Sequence, residues 1–356
     1  PANFLNDYAF ACMILRMGEK KAVAVLGASG YTGGELLRLL ASHPHFEVVT
    51  ATAGSHAGMR VADLHPALAG AYPKLSLAPT EAAAADGADL VFCALPHGAS
   101  QRLVPELLSK VGHVVDLAAD FRLKDASAYP TWYGEEHSCP ELLESAVFGL
   151  PELDREHLAG ARLVAAPGCY VTAATLALAP LVKVGAVERS GIVVDAASGV
   201  SGAGRKLTEG TQFCTVDEDF TAYGLLKHRH TPEMEQAIGA QLLFTPHLAP
   251  MNRGILATCY ARPTSQAGST PLEVLADAYA SEPFVVVSNR SPSTKAALGS
   301  NTAHVTALYD ERTGWVVSIC ALDNLVKGAS GQAVQCANAV MGWPETTGLP
   351  LAGLAP

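Results

Sequence analysis

The chain has 356 residues, 49% of them hydrophobic and 16% charged, and its 34 acidic against 24 basic side chains leave a formal net charge of −10. That length is more than one ordinary core serves, so it predicts two domains, and the apolar content excludes a disordered chain. The acidic balance excludes nucleic acid or an anionic membrane as a general partner, so an anionic substrate must meet a local basic pocket.

No apolar run reaches the roughly 18 residues of a membrane span. The eight cysteines come no closer than the 16 residues between Cys320 and Cys336, and no CxxC pair occurs. That spacing excludes a clustered zinc site, no metal is expected, and scattered thiols suit a reducing, cytoplasmic compartment.

Residues 1–20 read as a leader of uncertain structure. The stretch is apolar and aromatic with its positive charge at the end, the wrong order for a secretory signal, and Met13 or Met17 reads as a natural start. Pattern begins with a buried strand at 22–26, followed by a helix over 33–42 that His43-Pro44 ends, and a strand at 47–51. Further short strands at 90–94 and 113–117 flank a helix over 100–109. Such alternation predicts a parallel sheet with helices on both faces, a Rossmann-like nucleotide-binding domain over 21–166. Beyond the boundary at 166–168 the strands lengthen (192–196, 241–245, 254–261, 313–321) and mix Thr, Cys and Tyr with aliphatic residues. They predict a mainly antiparallel sheet open on one face, in an α+β domain over 167–323. The remainder, 324–356, reads as a helix over 325–341 that Gly342-Trp343-Pro344 ends and that packs back on the first domain. The fold class is therefore α/β.

The first strand runs into Gly27-Ala28-Ser29-Gly30-Tyr31-Thr32-Gly33, a GxxGxxG turn opening a helix. Glycines permit a tight turn and close backbone approach, and the helix start offers N–H groups to a pyrophosphate. No carboxylate occurs between Val48 and Ala62, where an NAD site wants one for the ribose hydroxyls; Ser55 or Arg60 would instead meet a 2′-phosphate, which favours NADP. Leu95-Pro96-His97-Gly98 follows a parallel strand, so His97 faces the cofactor crevice or is a plain turn histidine. Arg122 in Asp120-Phe121-Arg122 either clamps an anion bidentately or pairs with Asp116 or Asp120.

Pro167-Gly168-Cys169-Tyr170 places a thiol at the mouth of an Ala/Leu helix. Unpaired N–H groups and the helix dipole there favour thiolate, the nucleophilic form; the alternative is a buried structural cysteine. Ser198-Gly199-Val200-Ser201-Gly202-Ala203-Gly204-Arg205-Lys206 reads as an oxyanion or phosphate nest, or as a flexible glycine loop. His228-Arg229-His230 puts two imidazoles on one face of an extended segment, for acid–base work beside the cysteine or for a structural role; a metal pair lacks further ligands.

These motifs, with Thr231-Pro232-Glu233, Phe244-Thr245-Pro246-His247, Arg253-Gly254-Ile255 and Asp323-Asn324-Leu325-Val326-Lys327-Gly328, resemble the N-acetyl-gamma-glutamyl-phosphate reductases of arginine biosynthesis over residues 21–356. The resemblance implies NADPH-dependent reduction of N-acetyl-glutamyl 5-phosphate to the 5-semialdehyde with phosphate release, through a thioester on Cys169. It implies His230, with His228 beside it, as acid–base. It implies NADP(H) contacts from Gly27, Ser29, Gly30, Tyr31, Thr32, Gly33, Ser55, Pro96, His97, Ser198, Gly199 and Asn324. Substrate and phosphate would meet Arg122, Ser201, Gly202, Arg205, Arg229, Glu233 and Arg253, with Lys206 nearby, and the enzyme would be a homo-oligomer, dimer or tetramer. Ala166 and Val171 depart from the family's Asn and Pro, which implies altered packing without loss of the nucleophile. An aspartate-semialdehyde dehydrogenase would carry a Gln shortly after the cysteine, where this chain has Tyr170-Val171-Thr172-Ala173-Ala174. A non-catalytic NADP(H)-binding redox sensor would need neither the histidine pair nor the nest.

Overall fold

The computed structural model describes residues 20–265 and 268–355, so the leader reading for residues 1–19 lies outside it. Its first sheet contains β1 (Lys21–Leu26), β2 (Phe46–Ala53), β3 (Leu77–Pro79), β4 (Leu90–Cys93), β5 (His113–Asp116), β6 (Val147–Phe148) and β7 (Leu163–Ala165). The order is β3-β2-β1-β4-β5-β7-β6, and every pairing is parallel. β1 and β4 are unbroken apolar runs because both faces are covered. Val23 and Val25 pack with Leu36, Leu37 and Leu40 of the Tyr31–Leu40 helix, while Ala24 and Leu26 pack with Val104 and Leu107 of the Ser100–Lys110 helix. From β1 the chain steps to β2 on one side, and from β4 to β5 on the other. The crevice between the carboxyl ends of β1 and β4 is therefore the switch point at which such sheets bind ligands.

The second sheet contains β8 (Ile192–Gly199), β9 (Thr221–Ala222), β10 (Leu242–Ala249), β11 (Ile255–Ala261), β12 (Val285–Val287), β13 (Ala303–Asp310) and β14 (Trp315–Leu322), in the order β12-β13-β14-β11-β8-β10-β9. β8/β10 and β12/β13 are parallel and the other pairings antiparallel, so the sheet is mixed. The Cys169–Lys183 helix lies on one face, buried from Tyr170 to Val182. Leu176, Leu178 and Leu181 meet Val194, Ala257, Cys259 and Val305 there, and burying each Leu contributes about 2 kcal/mol. The alternate residues Leu243, Tyr260, Val317 and Leu308 point to the other face, where Leu243 is 48% and Leu308 54% exposed.

Three sequence expectations change. β10 runs on past Pro246, because the carbonyl of that proline accepts from Tyr223 on the β9 side; its missing N–H therefore costs the ladder with β8 nothing. The helix expected over 325–341 begins instead as a π-turn, Val326–Ser330, and only then becomes the α-helix Gly331–Val340. Asp323 Oδ1 accepts from the N–H groups of Leu325 and Val326 and caps this turn. The Gly331–Val340 helix adds Val334, Ala337 and Val340 to the core of the first sheet. Finally, the segment of the histidine pair, expected to be extended, turns instead: His230 has αR backbone (φ −79°, ψ −11°) and caps a helix at Thr231–Ile238 that Pro232 starts and Gly239 stops at φ 72°.

Candidate active site

The glycine turn is compelled by contact. A Cβ on Gly27 (φ 85°) would lie 2.3 Å from the Ala94 carbonyl oxygen, and one on Gly33 would lie 2.3 Å from that of Gly27. Gly30 caps the Tyr31–Leu40 helix with extended backbone and no side-chain bond, so the first N–H groups of the helix are left to the crevice beside Ser29, Tyr31 and Thr32. This cradle fits a dinucleotide pyrophosphate. Ser55 stands exposed just beyond β2, with its Oγ 3.3 Å from His56 Nδ1. Arg60 is held bidentately by Asp63 at 2.6 and 2.9 Å, which leaves Ser55 the better-placed candidate for a 2′-phosphate.

His97, after Pro96, lies between carboxylates from later segments of the chain. Its Nδ1 lies 2.5 Å from Asp120 Oδ1 and its Nε2 lies 3.3 Å from Glu135 Oε1. Against the burial that would raise it, His97 and the N–H groups of Gly98 and Gln101 hold the Asp120 carboxyl below the usual carboxylate range. These contacts favour the turn-histidine reading.

β7 ends at Ala165, and the cysteine helix starts four residues later. Arg122 and Glu233 build the turn between them. Arg122 Nε donates to Ala166 O at 2.8 Å, its Nη2 donates to Leu117 O at 2.8 Å, and its Nη1 lies 3.3 Å from Glu233 Oε2. Glu233 Oε1 accepts from Gly168 N at 2.8 Å. Both side chains are buried, and burial pushes the Glu233 carboxyl up, opposed by Arg122. Glu233, expected at the substrate, has its carboxylate engaged within the protein by Arg122 and the Gly168 N–H. Arg122 keeps one edge on the cavity.

Gly168 is flush against His230. A Cβ there would lie 2.4 Å from His230 Nε2, so only glycine lets the imidazole rest on the turn that carries Cys169. His230 is buried, and its Nδ1 finds no hydrogen-bond partner among the described residues. Burial, then His228, Arg122 and Arg229, hold its pKa well below the ordinary value of 6.5. His228 Nδ1 accepts from the His230 backbone N–H at 3.2 Å, and burial lowers His228 to about 4. The rings are 4.7 Å apart, both neutral at pH 7. Cys169 keeps a partly open surface, yet protein atoms surround its sulfur, and burial pushes the thiol up to about 11. The Tyr170 N–H and Arg122 oppose this without prevailing. Burial therefore opposes the thiolate that the helix start favours, and a nucleophilic role for Cys169 would call for a base beside it.

The nest completes the site. A Cβ on Gly199 would lie 2.8 Å from the Arg253 nitrogen, and one on Gly202 would lie 2.7 Å from Ser198 Oγ. Asn324 Nδ2 donates to Ser201 Oγ at 2.9 Å, and its Oδ1 accepts from Gly254 N at 2.8 Å. Arg205 reaches across to the glycine turn and donates to Ser29 O at 3.1 Å. Arg253 is spoken for by Glu35 at 2.8 Å and Asp323 at 3.6 Å, which weakens its candidacy for substrate. Lys206 is exposed at the rim.

Two cavities of about 260 Å³ meet at Cys169. One holds Tyr31, Arg122, Ser201, Arg205 and Asn324; the other holds Tyr170, Ser198, Tyr223, His228 and His230; Gly202 and Arg229 line both. Sequence reasoning missed Tyr223, whose OH donates to Tyr170 OH at 3.1 Å, which in turn donates to His247 O at 3.0 Å. A lone Tyr in a polar stretch gives no signal. A larger cavity of about 390 Å³ by Pro263 and Tyr309 contains none of these residues. Among the described residues no group of three or more His, Cys, Asp or Glu side chains is arranged to hold a metal ion, and no helix is long and apolar enough to cross a membrane.

Residues 22–161 match the family profile for the semialdehyde dehydrogenase NAD binding domain, and residues 169–324 match that for the semialdehyde dehydrogenase dimerisation domain. The chain is 49% identical over 345 residues to the N-acetyl-gamma-glutamyl-phosphate reductase of Geobacter sulfurreducens, covering 94% of this chain and 98% of that protein. The Magnetococcus marinus protein of the same name is 48% identical over 343 residues, with 94% and 98% covered. Among solved structures, aspartate semialdehyde dehydrogenase II from Vibrio cholerae superposes with a TM-score of 0.69 at 15% identity, over 91% of this chain and 99% of that one. The Candida albicans aspartate semialdehyde dehydrogenase with NADP superposes with a TM-score of 0.65 at 14% identity, over 90% and 98%. At such identities these two likenesses speak to the fold alone.

Proposed function

The chain belongs to the N-acetyl-gamma-glutamyl-phosphate reductases, and on that premise we propose that it reduces N-acetyl-glutamyl 5-phosphate to the 5-semialdehyde through a thioester on Cys169, within arginine biosynthesis. The observation that carries this reading is the His230 imidazole resting on the turn that carries Cys169, with both residues lining one cavity. His230 takes the Cys169 proton as sulfur attacks the acyl carbon, and passes it to the phosphate oxygen as the C–O bond breaks. Arg122, Arg205 and Arg229 face the departing anion. NADPH, when bound along the glycine turn, supplies the hydride that reduces the thioester carbonyl. The thiohemiacetal oxyanion then re-forms a carbonyl, the C–S bond breaks, and the thiolate regains a proton that His230 relays from solvent. His228, its Nδ1 occupied by backbone, keeps Nε2 for the substrate.

In this scheme residues 21–166 bind NADP(H), 167–323 bind substrate and associate, and 324–356 return to the first domain. We further assign the open face of the second sheet, with Leu243, Tyr260, Val317 and Leu308, to a homodimer contact, and the protein to the cytoplasm, where a thiol such as Cys169 stays reduced. Cys169→Ser should abolish turnover and leave NADPH binding near normal; retention of more than about a few per cent of the rate would show that Cys169 is not the nucleophile.

A further inference from the structure

Lys327 and Glu152 form an ion pair that the chemistry above does not use, and both side chains are fully buried. Lys327 Nζ lies 2.6 Å from Glu152 Oε1 and 2.8 Å from Gln335 Oε1. Gln335 Nε2 donates to the same Glu152 oxygen at 3.0 Å, and Gln335 Oε1 accepts from Asn301 at 3.0 Å. The Phe284 ring closes the site 5.5 Å from the ammonium. Glu152 sits on the short Pro151–Asp154 helix of the first domain and Lys327 on the Val326–Ser330 π-turn, so the pair pins the turn to that domain. As a source of stability it is a poor device. Desolvating both charges offsets their attraction, and apolar pairs of similar volume are often neutral or better.

What the turn touches gives the pair another use. A Cβ on Gly328, the next residue, would lie 2.8 Å from the Cβ of Cys169, so the turn's backbone packs directly on the cysteine. Asn324, just before the turn, holds Ser201 of the nest and the backbone of Gly254. Ser330 Oγ, at its end, donates to Thr32 O in the glycine-turn helix at 2.9 Å. The wide bonds Gly328 N to Asp323 O and Ser330 N to Leu325 O, each 2.9 Å, set the spacing between these contacts. Such π-turns gather at functional sites.

We infer that Lys327, held by Glu152, is a positioning residue that keeps the π-turn in the register seating Gly328 against Cys169 and Asn324 against Ser201. It thereby sets where the thiol stands relative to the cofactor crevice. This inference rests on Cys169 being the nucleophile.

The test is the paired apolar variant Lys327→Met with Glu152→Met, alongside Gly328→Ala, which leaves the ion pair intact and pushes the turn off Cys169. Each should fold, bind NADPH with wild-type affinity by fluorescence titration, lose kcat by about 10²-fold, the scale of a displacement of about 1 Å, and show a changed pH profile of Cys169 alkylation. A role in stability alone would move the melting temperature and leave that profile and kcat in place. Wild-type kcat in the paired variant overturns the inference. If that variant does not fold, Glu152→Gln, which keeps the shape and removes the charge, decides in its place: unchanged kcat overturns the inference and reduced kcat with normal NADPH affinity supports it. Cys169→Ser, run in parallel, separates the two readings. An active serine variant sinks the thioester reading itself, whereas an inactive one beside a fully active paired variant refutes only the positioning role.

Discussion

Gly168→Ala tests the contact between His230, the proposed base, and the turn that carries Cys169 with a single methyl. Gly168 has φ −66° and ψ 149°, a conformation open to any residue, so alanine brings no backbone strain. The methyl carbon would stand 2.4 Å from Nε2, 2.6 Å from Cε1 and 2.8 Å from Cδ2 of His230. Comfortable separation is about 3.5 Å or more, so ring and turn must part by about 1 Å. Neither yields easily. The ring is buried with Tyr170 at 6.0 Å and His228 at 4.7 Å, and the turn is held by Glu233 and Arg122. Overpacking of this kind costs about 1–3 kcal/mol of stability. Moving a base about 1 Å from its nucleophile costs about 10²-fold in kcat, or about 2.7 kcal/mol in the barrier. Steady-state assays should show kcat reduced with the NADPH KM unchanged, because the glycine turn is untouched, and thermal melting should show a modest loss. A variant with kcat within about twofold of wild type and an unchanged melting temperature would refute the reasoning, because His230 would then not depend on this contact.

His230→Asn should lower kcat by about 10² to 10⁴, and His228→Asn should cost less; the reverse ranking would move the acid–base role to His228. Ser55→Asp should shift cofactor preference toward NADH by repelling the 2′-phosphate, and equal kcat/KM for the two cofactors in the wild type would sink that argument. His43 is held at about 4 by burial, and its Nδ1 accepts from the N–H groups of His45 and Phe46. A folded-state pKa below the ordinary 6.5 gives stability that is complete above pH 6.5 and is lost as the pH falls through 4. Melting temperatures should therefore fall between those values, and an equally steep fall in His43→Asn would remove His43 as the cause.

The parts of the fold that were legible in the sequence are those written in local chemistry. β1 and β4 announce themselves as buried runs, and the turn at Gly27 as a glycine placed between strand and helix. β6 spans Val147–Phe148 and β7 spans Leu163–Ala165, too short to carry a period. Cys169 was legible from Pro167-Gly168 before it and the apolar helix after it. The burial that pushes its thiol up was not, because it comes from elements far along the chain, whereas the helix start is a local effect. Arg122 and Glu233 stand 111 positions apart, and nothing near either residue signals that one will neutralise the other. The π-turn left only Gly328 as a trace, since its wide bonds answer to contacts with Cys169 and Thr32.

Cys169 is the first residue of a helix whose interior is buried from Tyr170 to Val182 between a sheet and its neighbours. The amides of such an element exchange with solvent only when the surrounding domain opens as a whole. Exchange at the amides of this helix should therefore coincide with global unfolding. Most of residues 202–227, by contrast, are exposed, and the substrate-side wall at Tyr223 belongs to them. The protein thus sets Cys169 on a buried element and the cavity wall at Tyr223 on an exposed one, so the two sides of the cavity differ in how far solvent reaches them.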